Sequence, residues 1–248
     1  MKIIKKNLKI VVELIVPIKY QLYLRYIYLK IFKKLDKEMF HVSKLLQSRR
    51  RFVDIGANVG IYSFFFKKSF KKIDSFEPLM EISYRLKPFQ NEFFKIHNIA
   101  LSNKNEKLKF YIPYFDGDLN PACASLELRE GKCEEKIVDV RTLDSYKYDD
   151  VDLIKIDVEG HEESVILGAI ETLKKSSPIL IVEIEQRHIN KNINDVFKTI
   201  LDLKYEGFFF YDDRLLSLDN FNYDRHQKGF LESRSKQYIN NFIFLPKN

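Results

Sequence analysis

Residues 51–63 read RFVDIGANVGIYS, and this stretch decides the fold. Phe52–Ile55 is a short apolar run suited to a strand, and Val59–Lys68 has the spacing of a helix. Between them lies Asp54-Ile55-Gly56-Ala57-Asn58-Val59-Gly60. Gly56 is free to adopt backbone angles closed to other residues, and Gly60 would let the helix approach the strand closely. A strand–glycine turn–helix of this kind opens an α/β sheet and faces the carboxyl ends of its strands, where such sheets bind cofactors. A dinucleotide site would carry G-x-G-x-x-G, seating a pyrophosphate on the helix N-terminus. Here Asn58 replaces the second glycine, and the strand ends in the acidic Asp54. The turn therefore suits a cationic, non-phosphorylated ligand better than a pyrophosphate.

Outward from this turn, strands and helices alternate, which indicates a parallel sheet covered on both faces. Strands are expected at Lys72–Phe76, Phe93–Ile99, Val151–Ile156, Pro178–Ile184, Gly207–Tyr211 and Phe242–Leu245. Helices are expected through Ile82, Leu86 and Phe89, over Glu162–Lys174, and over Ile193–Leu203. Residues 107–141 break the rhythm, with strands at Leu108–Ile112 and Ile137–Val140 around the turn signals Asp116-Gly117 and Asn120-Pro121. This is an insertion at the edge of the sheet where pockets are shaped.

Two further elements carry chemistry. Glu77 closes the second strand, followed by Pro78, about 20 residues beyond the turn, where a carboxylate reaches both hydroxyls of a bound ribose. In Leu153–Glu162 an almost continuously apolar strand is interrupted by Lys155 and ends at Asp157. With a period of two, Lys155 and Asp157 share a face, roughly 6.6 Å apart along the strand. A buried lysine is costly unless paired, so Lys155 is expected to engage a carboxylate, with Asp157 and Glu183 as candidates. Glu183, Glu185 and His161 are expected on the same rim; His161 is a candidate base or a cap for the following helix. Glu159 is expected to turn toward that helix's N-terminus.

The first 50 residues differ from the rest. They hold 13 Lys and Arg against three acids, a net of +10, which leaves −3 for residues 51–248 of a chain whose total is +7. The main domain thus lacks the basic face of a general nucleic-acid binder. The expected division is a basic helical arm, 1–50, and a catalytic domain, 51–248. Lys9, Glu13, Pro17 and Lys19 interrupt the arm's apolar run, against a secretory signal or a membrane-crossing helix. Leu22, Tyr26 and Leu29 keep helical spacing among cations, which fits docking on the domain or peripheral contact with an anionic membrane. The two cysteines, Cys123 and Cys133, form neither a zinc pattern nor a disulfide scaffold, so a cytoplasmic location is expected, peripheral to the inner membrane face if the arm binds lipid.

The ordered set FVDIGANVGIYS (52–63), SFEP (75–78), NIALSN (98–103), VRTLDSY (140–146) and LIKIDVEGHEESVILGA (153–169), followed by the Pro178–Glu183 strand, resembles the FkbM family of S-adenosylmethionine-dependent methyltransferases. The resemblance covers about residues 51–185. It implies a Rossmann-like α/β fold with a seven-stranded, mostly parallel sheet, helices on both faces and an antiparallel final strand. It implies that Asp54, Gly56 and Gly60, with Ala57 and Asn58 in the same turn, hold the methionine end of S-adenosyl-L-methionine. Glu77 and Pro78 would lie at the ribose, and Ala100, Leu101 and Ser102 would border the adenine. Asp157 would face the sulfonium and the acceptor. The family's typical reaction is O-methylation, so the expected function is methylation of a hydroxyl of a sugar or glycan, such as a surface polysaccharide or lipid-linked precursor. Another small-molecule acceptor, or a catalytically degenerate scaffold, is the alternative.

A sugar hydroxyl is a poor nucleophile, so a base is expected from Asp157 or His161, with Glu183 as partner. A divalent ion on Asp157 and neighbouring carboxylates is left open, since no dedicated metal motif occurs. An amino-group methyltransferase acting on nucleic acid would carry Asn/Asp-Pro-Pro-aromatic where this chain has Asp157-Val158-Glu159-Gly160. A nicotinamide oxidoreductase is disfavoured by the broken phosphate turn.

Overall fold

The computed structural model describes residues 15–230 and 238–247. The arm supplies α1 (Ile18–Ile31) and α2 (Lys37–Leu45). There follow β1 (Arg51–Ile55), α3 (Ile61–Phe66), β2 (Lys72–Phe76), α4 (Met80–Ser83) and β3 (Phe94–His97). The insertion holds β4 (Ala100–Leu101), β5 (Glu106–Phe115), β6 (Asp118–Leu119) and β7 (Cys133–Arg141). Then come β8 (Val151–Ile156), α5 (Glu162–Leu167), α6 (Ile170–Ser176), β9 (Ile179–Glu183) and α7 (Ile193–Leu201). The chain closes with β10 (Tyr205–Tyr211), β11 (Arg214–Ser217), α8 (Tyr223–His226) and β12 (Asn241–Pro246).

The main sheet runs β11-β10-β12-β9-β8-β1-β2-β3. β1, β2, β3, β8 and β9 pair in parallel, while β12 is antiparallel to both β9 and β10. Seven of these strands make the expected sheet with its antiparallel last strand. The eighth, β11, is the return of a hairpin from β10 across Asp212-Asp213, both left-handed. Arg214–Ser217 is too short to show a period, so the sequence carries no strand signal there. From β1 the chain builds outward to β2 and β3 on one side, and later to β8 and β9 on the other. The crevice between the ends of β1 and β8 is therefore the switch point at which such sheets bind ligands.

Helix boundaries shift for local reasons. Asn58 and Gly60 are left-handed, with φ of 50° and 87°, so α3 starts at Ile61 rather than Val59. Ile82–Phe89 is mostly a tighter 3-10 segment, Tyr84–Phe89, containing Pro88. The expected helix over 162–174 breaks into α5 and α6 at Gly168-Ala169. Asp144 accepts from the backbone N–H of Glu171 (3.0 Å) and Thr172 (2.8 Å), giving the second helix its own start. The third strand stops at His97, and Ala100-Leu101 leaves the main sheet to pair with β7.

The described residues of the arm, 15–50, pack on the main domain. Leu22, Val42 and Leu46 are buried in one cluster with Phe52, Phe64, Phe66 and Leu153 of the main domain. The opposite face of the sheet packs Ile154, Ile156, Val165, Val182 and Phe242.

Candidate active site

The glycine turn closes β1 as expected. Gly56 has φ 74°, and a Cβ there would lie 1.8 Å from the carbonyl oxygen of Asp157. The turn after β1 and the end of β8 thus touch backbone to backbone, which only glycine permits. Gly60 is also left-handed, but its open side meets Leu86 rather than the strand: a Cβ would sit 2.2 Å from that side chain.

Two clefts meet over this contact. The first, about 570 Å³ and open to solvent, is walled by Phe76, Ile99, Leu101, Phe110 and Leu126, with Glu77 and Pro78 at its edge. The second, about 720 Å³, lies between the arm and the turn; Arg25, Leu29, Lys34 and Asp36 face Asp54, Ala57, Tyr62 and Lys155. Gly56, Asn58 and Asp157 line both clefts.

On the first side, Glu77 accepts from the backbone N–H groups of Asn58 and Leu79, each at 3.0 Å. Burial pushes its carboxyl up to about 7 despite those two donors. His161 is held at both ring nitrogens: Nδ1 lies 2.6 Å from Glu127 of the insertion, and Nε2 lies 2.8 Å from the Ser102 hydroxyl. It precedes α5, yet its side chain makes no cap. Glu162 instead accepts from the Gly160 N–H at 2.9 Å. Glu159 turns away from the helix, to His188 Nδ1 (2.9 Å) and Arg129 (3.3 Å). The expected helix-end role thus belongs to Glu162, because Glu159 is left-handed at φ 57° and its side chain leaves the helix axis.

On the second side, Lys155 is 1% exposed. Its ammonium lies 3.8 Å from Asp157 and 3.9 Å from Glu183, so both expected partners are present. It donates to Asn241 Oδ1 (3.1 Å) and to the Ile156 carbonyl (3.3 Å), over the ring of Tyr62. Burial opposes its charge, yet the surrounding carboxylates hold its pKa above the ordinary lysine value. Burial, reinforced by the charge of Asp157, drives Glu183 well above the usual carboxylate range. Burial also raises Asp157, against which Lys155 pulls; a hydrogen bond with Glu183 favours its ionised form. Glu183 therefore holds its proton more tightly than an ordinary carboxyl, while Lys155 favours the ionised form of both acids.

Residues 54–210 match the Methyltransferase FkbM domain, well over half of the chain. The protein belongs to the FkbM methyltransferase family. Membership of that family implies S-adenosylmethionine-dependent methyl transfer. Among solved structures, an FkbM methyltransferase from Methylobacillus flagellatus aligns over 82% of this chain with 18% identity and a TM-score of 0.53. This chain spans 45% of that protein's length. An rRNA methylase from Streptococcus thermophilus aligns over 85% of this chain and 93% of its own, with 12% identity and a TM-score of 0.46. A precorrin-6y C5,15-methyltransferase from Geobacter metallireducens aligns over 84% and 87%, with 11% identity and a TM-score of 0.44. No curated protein matches the sequence.

The FkbM family's cofactor fits these residues. A ligand reaching from the apolar slot at Leu101 to the cluster at Lys155 has to cross Gly56, where no side chain obstructs it. Glu77 stands beside that path with lone pairs to spare. Of the expected binding residues, Gly56, Asn58, Glu77, Pro78, Ala100, Leu101 and Asp157 line the first cleft, and Ala57 and Asp54 the second. Asp54 mainly points beneath the turn, accepting from the Ser63 N–H (3.0 Å) and hydroxyl. Burial lifts its carboxyl to about 6. Ser102 stands behind the wall, holding His161, and Gly60 shapes the turn. Among the described residues, no group of three or more His, Cys, Asp or Glu is placed to hold a metal ion. The cation that Asp157 and Glu183 face is Lys155.

Several site residues carried no sequence signal. Asp36, in the arm, accepts from the Tyr62 hydroxyl at 2.8 Å. Asn240 donates to Glu183 at 2.7 Å, and Asn241 accepts from Lys155. Glu185, expected on the rim, is instead buried against Arg187 (2.6 Å) and the Tyr238 hydroxyl.

Proposed function

We propose that the protein methylates a hydroxyl of a sugar or glycan, with Asp157 as the base. One observation carries this reading: Asp157 lines both clefts, with the Lys155 ammonium 3.8 Å from its carboxylate and Glu183 on the other side of that lysine at 3.9 Å. An acceptor hydroxyl has to lose its proton as its oxygen attacks, and a fixed carboxylate at the meeting point accepts it. Glu183 hydrogen-bonds the carboxylate, and Lys155 keeps it charged while orienting it.

When bound, S-adenosylmethionine supplies an electrophilic methyl group whose bond to sulfur breaks as the new carbon–oxygen bond forms. Glu77 would take the ribose hydroxyls, the slot of Phe76, Ile99, Leu101 and Leu126 the adenine, and Gly56 to Asn58 the methionine end. His161 is a positioning residue: bonded to Glu127 and Ser102, it ties the insertion to the wall of the slot. The chain's own work is alignment of acceptor and methyl group, with water kept out.

A carbohydrate acceptor is supported by a further cleft beside the first. Tyr114, Phe115, Phe230 and Tyr238 line it together with Arg129 and Arg187, and Glu159 links it to the first cleft through Arg129 and His188. Flat aromatic faces beside charged hydrogen-bond donors suit the two faces and the hydroxyls of a sugar. Reducing surroundings such as the cytoplasm suit Cys123 and Cys133, both free thiols.

The test uses methyl-labelled cofactor and a panel of nucleotide-sugars, oligosaccharides, catechols, amines and RNA. Label is expected in a sugar methyl ether, and on none of the nitrogen acceptors. Transfer to an amine or to RNA with no sugar product would sink the reading.

A further inference from the structure

α1 carries apolar side chains on two faces, and only one of them is covered. Leu22 and Tyr26 pack inward against Phe64 and its neighbours. Tyr20, Leu24, Tyr28 and Ile31 recur at helical spacing on the opposite face and are all exposed, Ile31 by 68%. Phe32 follows them at 59%. Of the eighteen large apolar side chains exposed among the described residues, nine fall within residues 15–45. Scattered exposed apolar residues are ordinary, but a continuous stripe of this kind marks a face that binds something.

The charges around the stripe say what. Residues 15–35 hold five cations (Lys19, Arg25, Lys30, Lys33 and Lys34) and no acid. The arm's two acids beyond them point inward: Glu38 is buried, and Asp36 accepts from Tyr62. An aromatic and aliphatic stripe flanked by cations only is the pattern of a helix lying in the headgroup layer of an anionic membrane. Among the described residues no helix is long and apolar enough to cross one.

We propose that the outer face of α1 docks on an anionic lipid surface. Arg25 and Leu29, one step round the helix from Leu24 and Tyr28, line the cleft that leads to Asp157. Docking therefore sets the mouth of that cleft beside the headgroups, within reach of an acceptor carried on a lipid. The surface itself does not depend on which acceptor is methylated.

The test is flotation of the full chain with phosphatidylcholine vesicles, with and without phosphatidylglycerol. Wild type is expected to float with the anionic vesicles and to be recovered roughly tenfold less with the neutral ones. High salt should lower recovery. Leu24→Glu/Ile31→Glu and, separately, Lys19→Glu/Lys30→Glu should each lower recovery on anionic vesicles by about tenfold. Unchanged S-adenosylhomocysteine binding by both variants shows that fold and cofactor site survive, separating this result from any failure of the methyltransferase reading. Equal recovery of wild type and the Leu24/Ile31 variant overturns the proposal. So does wild type left unbound, or a dimer in sedimentation equilibrium that the same variant dissolves, which would make a second copy the occupant.

Discussion

The two clefts that meet over Gly56 are built in different ways. The first is assembled from the ends of neighbouring strands and the turns that follow them: Ile55–Asn58, Phe76–Pro78, Ile99–Leu101 and Asp157–His161. Its polar contacts are largely backbone donors, such as the two N–H groups on Glu77. The second sets side chains of the arm, Arg25, Leu29, Lys34 and Asp36, against the far side of the turn, Tyr62 and Lys155, and behind that lysine stand Glu183 and Asn241. A cleft of turns is set by local geometry and serves one constant ligand. A cleft of distant side chains can be altered piece by piece, which suits an acceptor that varies. Mutations on the two sides should therefore separate binding of cofactor from turnover.

The largest separation is expected at Asp157, where both clefts join. Asp157→Ala should lower turnover about a thousandfold, as loss of a base does. S-adenosylhomocysteine affinity, measured by calorimetry, should change little, and circular dichroism should show a folded chain. Near-wild-type turnover would remove Asp157 from the mechanism. Next comes the first cleft itself. Glu77→Ala should weaken cofactor affinity by about 10- to 100-fold, the worth of a charged hydrogen-bonding group. Its turnover at saturating cofactor should fall far less. A variant that binds normally but turns over slowly would reverse the assignment of the two sides.

A smaller effect is expected in the arm. Asp36→Asn leaves Tyr62 a partner but removes a charge facing Lys155, and should lower turnover about tenfold with cofactor affinity unchanged. If turnover is untouched, the arm only covers the second cleft and takes no part in it.

The smallest effect is on stability. Burial raises Glu38, Glu77 and Glu162 to about 7 and Asp54 to about 6. Each therefore binds its proton more tightly folded than unfolded. Their contribution is complete below about pH 4 and is lost as pH rises toward 7, so the cofactor-free protein should lose stability across that window. One such group titrating alone has a limiting slope of about 1.4 kcal/mol per pH unit. Glu38→Gln should flatten the decline measured by urea unfolding at pH 5 and pH 8. A decline of unchanged steepness would mean that Glu38 is solvated in the native state.

Most of the first cleft is legible in the sequence alone, because each of its walls is a short contiguous segment. A glycine turn after a strand, an acid at the end of the next strand and Asp157 after a third each follow from the order of elements in a doubly wound sheet. Lys155 was legible for the opposite reason: it violates an apolar strand, and its cost demanded the partners it has at 3.8 and 3.9 Å. Asp36 and Asn241 violated nothing in their surroundings. Asp36 reads as an ordinary helix-start residue before α2, and Asn241 as the polar edge of a last strand. The helix-end role passed from Glu159 to Glu162 because a left-handed residue redirects the chain, and φ leaves no mark on composition.

The sequence by itself determined the parallel sheet, its switch point and the turns that line the first cleft. Periodicity and glycine positions act over a few residues, and the direction of a strand settles which of its ends carries the turn. Only the tertiary structure decided that the basic arm shares the domain's core, that its Asp36 faces Lys155, and that one apolar stripe of α1 stays uncovered. Those outcomes depend on which surfaces meet across 200 residues of chain, roughly the length of a whole domain. An amphipathic helix carries no mark of which of two apolar faces will be the buried one.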